Sequence, residues 1–162
     1  MSTLDFLSPD ACDSGIALGG PLGTFADPAV AELDGIGKLE VRGDLSGVRA
    51  AAREQLLPLG PERALLVVDG PPAAARRRLA KAGLRVYDLS AGLTALEFEG
   101  RDLLRRLTEL EPDQLPATGA IARGTPALVE QRDGDRFRLY VPRELARYVA
   151  EVVVDLARGL GR

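Results

Sequence analysis

Alternating and continuous apolar runs predict the strands of this chain. Residues 38–43 (KLEVRG) place Leu39 and Val41 on one face, as a half-buried strand requires. Residues 64–69 (ALLVVD) form a continuous apolar run, which is typical of a central strand covered on both faces. The other predicted strands cover residues 84–90, 93–100, 119–131 and 136–142.

Turn residues predict how these strands connect. The Ala-Gly pair at 91–92 is a short turn between two strands, and the Asp-Gly pair at 133–134 is a strong hairpin signal. Gly124 and Pro126 interrupt the strand over 119–131, which indicates a bulge or a bend there.

Helical spacing of apolar residues predicts four helices. The first is capped by Asp44 or Ser46 and ends at Pro58, and the second begins at two prolines and ends at Gly83. The third follows Gly100, and the fourth covers about 143–158. The side chains expected to be buried are, in chain order, Leu45, Val48, Ala52 and Leu56; Ala75, Leu79 and Ala82; Leu103, Leu104, Leu107 and Leu110; and Leu145, Tyr148, Val149, Val152 and Leu156.

The order of these elements predicts an α+β fold. Strands and helices alternate, as they do in split βαβ (ferredoxin-like) units with mixed or antiparallel sheets. We expect one such domain over residues 38–162, preceded by an acidic, Gly/Pro-rich arm over residues 1–37.

The predicted arm differs from the rest of the chain in composition. It has six acidic residues and no basic one, and nine of its residues are Gly or Pro. It cannot form a core of its own, yet its apolar side chains are too many for a solubilising tail. We expect it to order against a partner subunit, with Phe6, Leu18, Leu22 and Phe25 as candidate partner-binding residues.

The composition narrows the possible chemistry. There is no His and Cys12 is the only cysteine, so neither a His-dependent nucleophile system nor a Cys/His zinc site is possible within the chain. We expect no catalytic residue and no metal site. The sequence also predicts neither a membrane span nor a secretory signal, which makes the cytoplasm the expected compartment.

The charge distribution argues against a nucleic-acid partner. The net charge is −3, and the best basic cluster, Arg76 to Arg85, is better explained by the solvated side of one helix. Phe137 and Tyr140 point to opposite faces of one strand, whereas an RNA-binding sheet presents its aromatic side chains on a shared face.

Three collinear segments resemble one protein family. They cover residues 38–44 (KLEVRGD), 87–107 (YDLSAGLTALEFEGRDLLRRL) and 124–149 (GTPALVEQRDGDRFRLYVPRELARYV). Together they resemble the gamma subunit of heterotetrameric sarcosine oxidase, which is similar to the folate-binding aminomethyltransferase (T-protein) superfamily. The matching positions are Asp88, Leu89, Ser90, Thr94, Gly100, Phe137, Leu139, Tyr140, Val141, Arg147 and Tyr148.

This resemblance implies an accessory subunit without chemistry of its own. Its partners would be the larger flavin-bearing subunits of a sarcosine-oxidase-type enzyme of one-carbon metabolism. Flavins, NAD and tetrahydrofolate would belong to those other subunits, and this chain would bind no cofactor. Two other functions stay open: a free-standing folate-binding or aminomethyltransferase-like protein, and a small RNA-binding module.

Three polar residues are candidate ligand-binding groups. Asp88 and Ser90 lie at a strand end that, by the resemblance, is near the central cavity of the folate-binding relatives. The same two side chains could instead satisfy the backbone of the following turn. Arg123 could clamp a carboxylate bidentately, or it could be exposed or face a partner.

Overall fold

The structure is a computed structural model that describes residues 20–161, and these residues form two β-sheets with three α-helices. The helices are α1 (Ala73–Lys81), α2 (Arg101–Leu107) and α3 (Ala146–Gly159), with 3₁₀ turns at Pro112–Gln114 and Arg143–Leu145. The strands are β1 (Ala31–Glu32), β2 (Ile36–Arg42), β3 (Glu54–Gly60), β4 (Arg63–Asp69), β5 (Arg85–Asp88), β6 (Leu93–Glu99), β7 (Ala117–Ile121), β8 (Thr125–Gln131) and β9 (Arg136–Pro142).

The strand order confirms the expected α+β class. One sheet has the order β1-β6-β9-β8-β7, and the other has the order β3-β4-β2-β5. Every pair of neighbouring strands among the described residues is antiparallel. The hairpin expected at 133–134 is present, because β8 and β9 pair with Gln131 opposite Phe137.

The two sheets pack face to face, and helices cover their outer faces. Leu57, Leu65 and Val67 of the four-stranded sheet meet Ala95, Leu128 and Tyr140 of the five-stranded sheet. β4 is therefore buried on both faces, as its continuous apolar run predicts. α1 covers the outer face of the four-stranded sheet, while α2 and α3 cover that of the five-stranded sheet.

The prediction of a helix that ends at Pro58 is wrong. Asp44 accepts a hydrogen bond from the Ser46 N–H at 2.9 Å and makes a local turn, and β3 follows at Glu54. Leu56 packs towards α1 while Leu57 packs between the sheets, which is the alternation of a strand. Pro58 is tolerated because β3 is the edge strand of its sheet.

The link between β5 and β6 is a crossing between sheets and not a hairpin. β5 pairs with β2, whereas β6 pairs with β1 and β9. The Leu89 N–H donates to the Lys38 carbonyl at 2.8 Å, and the Gly92 N–H donates to the Leu89 carbonyl at 3.0 Å. The short turn expected at 91–92 exists, but it carries the chain from one sheet to the other.

The interruption at Gly124 is a full chain reversal. β7 and β8 are antiparallel neighbours, so the segment predicted as one bent strand is a hairpin. Ala122 and Arg123 have φ angles of 41° and 63°, and Gly124 follows with a φ of 98°. Two successive non-glycine residues in the left-handed region make this turn strained.

The buried face of the last helix differs from the predicted one. Tyr148 is 39% exposed, and Leu145, Val152 and Leu156 are half-buried. Ala82, which was expected to be buried by the second predicted helix, is also exposed. Small side chains form the true contact with the sheet, because they let the helix approach closely. The buried residues of α3 are Ala146, Val149, Ala150, Val153, Val154 and Ala157.

The described part of the predicted arm contributes to the core. Leu22 and Val30 are buried with α2 and α3, β1 pairs with β6, and β2 begins at Ile36. The division of the chain at Gly37 stays a prediction, and residues 1–19 lie outside the described part. No helix within residues 20–161 has the length and apolar character needed to cross a membrane.

Candidate functional site

A cleft of about 390 Å³ lies where the chain crosses between the two sheets. Its walls come from the residues before and within β2, the turn that leads into α1, the start of β6 and the residue after β9. The polar or charged side chains in the lining are Glu32, Asp34, Lys38, Ser90, Thr94 and Arg143.

Hydrogen bonds from backbone N–H groups to side-chain oxygens hold the segment between β5 and β6 in its turn and against β2. The Lys38 N–H donates to the Ser90 Oγ at 3.0 Å, and the Ser90 N–H donates to the Asp88 Oδ1 at 2.9 Å. Asp88 and Ser90 therefore stabilise the turn, which agrees with the interpretation that their side chains satisfy its backbone. Ser90 also lines the cleft, whereas Asp88 is exposed and is not part of the lining. Their role as ligand-binding residues stays a prediction.

Lys38 is a largely buried residue whose ammonium group reaches the cleft and has no partner. The residue is 5% exposed, and among the described residues no acceptor lies within hydrogen-bond or ion-pair distance of its ammonium group. Burial lowers the pKa of Lys38 from its ordinary value of 10.5, although the carboxylates of Asp88 and Glu32 act in the opposite direction.

Glu40, two residues further along the same face of β2, has two partners. Its Oε1 accepts hydrogen bonds from the Nε atoms of Arg42 and Arg63, each at 2.6 Å. Burial alone would raise the pKa of Glu40, but the two guanidinium groups outweigh burial and hold the pKa below its ordinary value. The chain thus compensates one buried charge of β2 and leaves the other uncompensated.

The acidic side of the cleft is held by the segment before β2. The Glu32 carboxylate accepts a hydrogen bond from the Leu22 N–H at 3.2 Å. Gly20 lies so close to this carboxylate that a Cβ there would be 2.5 Å from Oε2. Asp34 is exposed at the edge of the lining.

Sequence reasoning missed a second polar cluster, which lies between the sheets. Glu130 is 1% exposed and accepts hydrogen bonds from the Tyr140 hydroxyl at 2.8 Å and the Gln55 Nε2 at 2.6 Å. Arg138 lies 3.4 Å from Glu130 and 3.2 Å from Glu97. The hairpin signal at 133–134 could have found this cluster, since its register places Glu130 opposite Arg138.

This second cluster serves the fold. Gln55 belongs to the four-stranded sheet, while Glu130, Arg138 and Tyr140 belong to the five-stranded sheet, so the hydrogen bonds link the two layers. Burial and the neighbouring Glu130 raise the pKa of Tyr140, which keeps the hydroxyl protonated as a donor.

The remaining candidates do not join the cleft. Arg123 is exposed at the strained turn and lines a separate depression beside the end of α2. Leu22 packs in the core of this chain, and Phe25 packs partly against it. Phe6 and Leu18 lie outside the described residues. Within residues 20–161, no three His, Cys, Asp or Glu side chains are grouped so that they could hold a metal ion.

Comparison with solved structures identifies the fold. A chain of the heterotetrameric sarcosine oxidase from Corynebacterium sp. U-96 superposes with a TM-score of 0.67 at 17% identity, over 82% of this chain and 85% of that chain. This chain has the sarcosine oxidase and aminomethyltransferase fold. The resemblance inferred from the sequence is thus confirmed at the level of the fold.

A second solved structure supports the same conclusion. The glycine cleavage system aminomethyltransferase T from Bartonella henselae superposes with a TM-score of 0.53 at 15% identity, over 77% of this chain. The match covers only 45% of that protein, so this chain spans less than half of its length. Comparison of sequences finds no matching family model and no matching curated protein.

Proposed function

We propose that this chain is a non-catalytic accessory subunit of a sarcosine-oxidase-type flavoenzyme complex. The observation that carries this proposal is the length of the structural match. The two chains cover 82% and 85% of one another, so the sarcosine oxidase chain and this chain are of similar size. A complete aminomethyltransferase is more than twice as long as the part that matches.

The chemistry of the chain is consistent with this role. It has no His, and Cys12 is its only cysteine, so a His-dependent nucleophile system cannot be built within the chain. The flavins, NAD and tetrahydrofolate would be bound by the other subunits, in the cytoplasm. Phe6, Leu18 and Phe25 are proposed to contact the larger subunits.

An affinity purification from the native host tests the proposal. The tagged full-length chain is expected to retain subunits that carry flavin absorbance, and the eluate should consume oxygen when sarcosine is added. The isolated recombinant chain serves as the control and should be colourless. A chain that elutes alone, or with proteins that lack flavin, would contradict the accessory role.

The aminomethyltransferase match supports a second candidate, a free-standing folate-binding protein. Such a protein should bind tetrahydrofolate with micromolar affinity or better, which corresponds to about −8 kcal/mol. Calorimetry with the isolated chain distinguishes the two functions. The accessory role predicts no heat of binding, whereas a saturable isotherm would favour the folate-binding protein.

A further inference from the structure

We propose that the cleft at the crossing between the sheets binds a small organic monoanion, whose carboxylate is held by the Lys38 ammonium group. This inference goes beyond the proposed accessory role and does not depend on a partner subunit. It rests on the burial of Lys38, on the groups around it and on the charge of the lining.

The first step concerns the cost of Lys38. A largely buried lysine whose ammonium group has lost part of its hydration and has no partner destabilises a protein, and an apolar side chain of similar length would avoid this cost. The adjacent Glu40 shows that this fold can supply partners, since Arg42 and Arg63 both reach it. Lys38 has no partner of this kind, and an anion in the cleft would complete its environment.

The second step concerns the start of α1, which adjoins the same cleft. Gly70, Pro71 and Pro72 line the cleft immediately before this nine-residue helix. Pro72 at the N-cap makes no side-chain cap hydrogen bond, and no acidic residue lies in the first turn. The positive end of the helix is thus without side-chain compensation where it adjoins the cleft, and a positive helix end and an ammonium group both attract an anion.

The third step concerns the class of anion. Lys38 and Arg143 in the lining are balanced by Glu32 and Asp34, so the lining has no excess positive charge with which to compensate a ligand of several negative charges. One unpartnered ammonium group matches one carboxylate, and the hydroxyls of Ser90 and Thr94 add hydrogen-bonding capacity. A volume of about 390 Å³ is at the lower end for small-molecule sites, which favours a compact ligand.

Competitive labelling of lysines tests the inference directly. Lys38 and Lys81 are the two lysines of the chain, and Lys81 lies on the exposed side of α1, which makes it an internal control. The full-length chain is treated with a trace of acetic anhydride in the presence of pyruvate, benzoate or inorganic phosphate, at constant ionic strength. Acetylation of each lysine is measured by peptide mass spectrometry.

A monocarboxylate should slow acetylation of Lys38 by about tenfold at roughly ten times its Kd and leave Lys81 unchanged. The same anion should raise the Tm of wild type and of K81M but not that of K38M. Equal effects on both lysines, or no protection by either monocarboxylate, would overturn the proposal. Stronger protection by phosphate would overturn the assignment of a carboxylate. The labelling uses wild-type protein, so it stays decisive even if K38M fails to fold.

Discussion

Lys38 and Glu40 share one face of β2 but differ in how their charge is compensated. Glu40 is held by two guanidinium groups, while the Lys38 ammonium has only distant carboxylates. A largely buried charge without a partner costs stability, and such a group in a cleft is a candidate for a role in binding. The contrast between these two residues is the reason for placing the candidate site at the crossing between the sheets.

Replacement of Lys38 should therefore increase stability. Lys38→Met removes the buried charge and keeps the length of the side chain, and we expect the free energy of unfolding to rise by about 1–2 kcal/mol. Lys81→Met, at an exposed position, should change it by less than about 0.5 kcal/mol. Urea denaturation of the three proteins measures both effects, and a loss of stability in K38M would show that Lys38 contributes to the fold.

The effect of Lys38 on the free energy of unfolding should also depend on pH. Its pKa is lowered in the folded state, so the unfolded chain binds more protons between that pKa and the ordinary value of 10.5. The cost of Lys38 is fully present below the folded-state pKa and decreases as the pH rises towards 10.5. The stability difference between K38M and wild type should shrink on raising the pH from about 7 to about 10, and a constant difference would contradict the lowered pKa.

Individual elements show where the sequence was informative and where it was not. The continuous apolar run of β4 favours a strand that is buried on both faces, and this prediction is confirmed. The segment before Pro58 has leucines that fit both a helix and a strand, and only pairing with β4 decides between them. The cleft could not be predicted, since it depends on β5 and β6 joining different sheets. The sequence nevertheless pointed to Ser90, which lines it.

The strained turn between β7 and β8 should be stabilised by glycine. Arg123 adopts a φ of 63°, which costs an L-amino acid about 1 kcal/mol relative to glycine. Arg123→Gly should raise the free energy of unfolding by about 0.5–1 kcal/mol, whereas Arg85→Gly in β5 should lower it. Thermal unfolding compares the two variants. A destabilised R123G would mean that the arginine side chain makes a contribution larger than the strain.

The polar cluster that links the sheets should depend on the Tyr140 hydroxyl. Tyr140→Phe leaves Glu130 with one donor fewer in a buried site, and we expect a loss of about 1–3 kcal/mol. Tyr87 is 46% exposed, so Tyr87→Phe is the matched control and should be nearly neutral. Chemical denaturation measures both variants. Equal effects would show that the hydroxyl of Tyr140 is not needed between the sheets.

At the scale of the whole molecule, two packed sheets covered by helices place the cleft at a boundary between layers. The same architecture accounts for the match to a sarcosine oxidase chain at only 17% identity, because burial patterns persist when individual residues change. Likeness at this level supports the fold, and function has to be argued from the site and its partners.

The role of the N-terminal segment is best tested in two parts. Leu22 is 4% exposed and Val30 is 5% exposed, both within the core formed with α2 and α3. Leu22→Ala should therefore lower the free energy of unfolding by about 2–4 kcal/mol, and deletion of residues 2–36 should lower the Tm strongly. Deletion of residues 2–19 keeps these contacts, so we expect a smaller fall in the Tm than the longer deletion causes, together with weaker retention of partner subunits. Both deletions are measured by calorimetry and by affinity purification. If L22A and the longer deletion left the Tm unchanged, residues 1–37 would be a separate arm as the composition predicts, and the contacts of Leu22 would contribute little to the stability of the core.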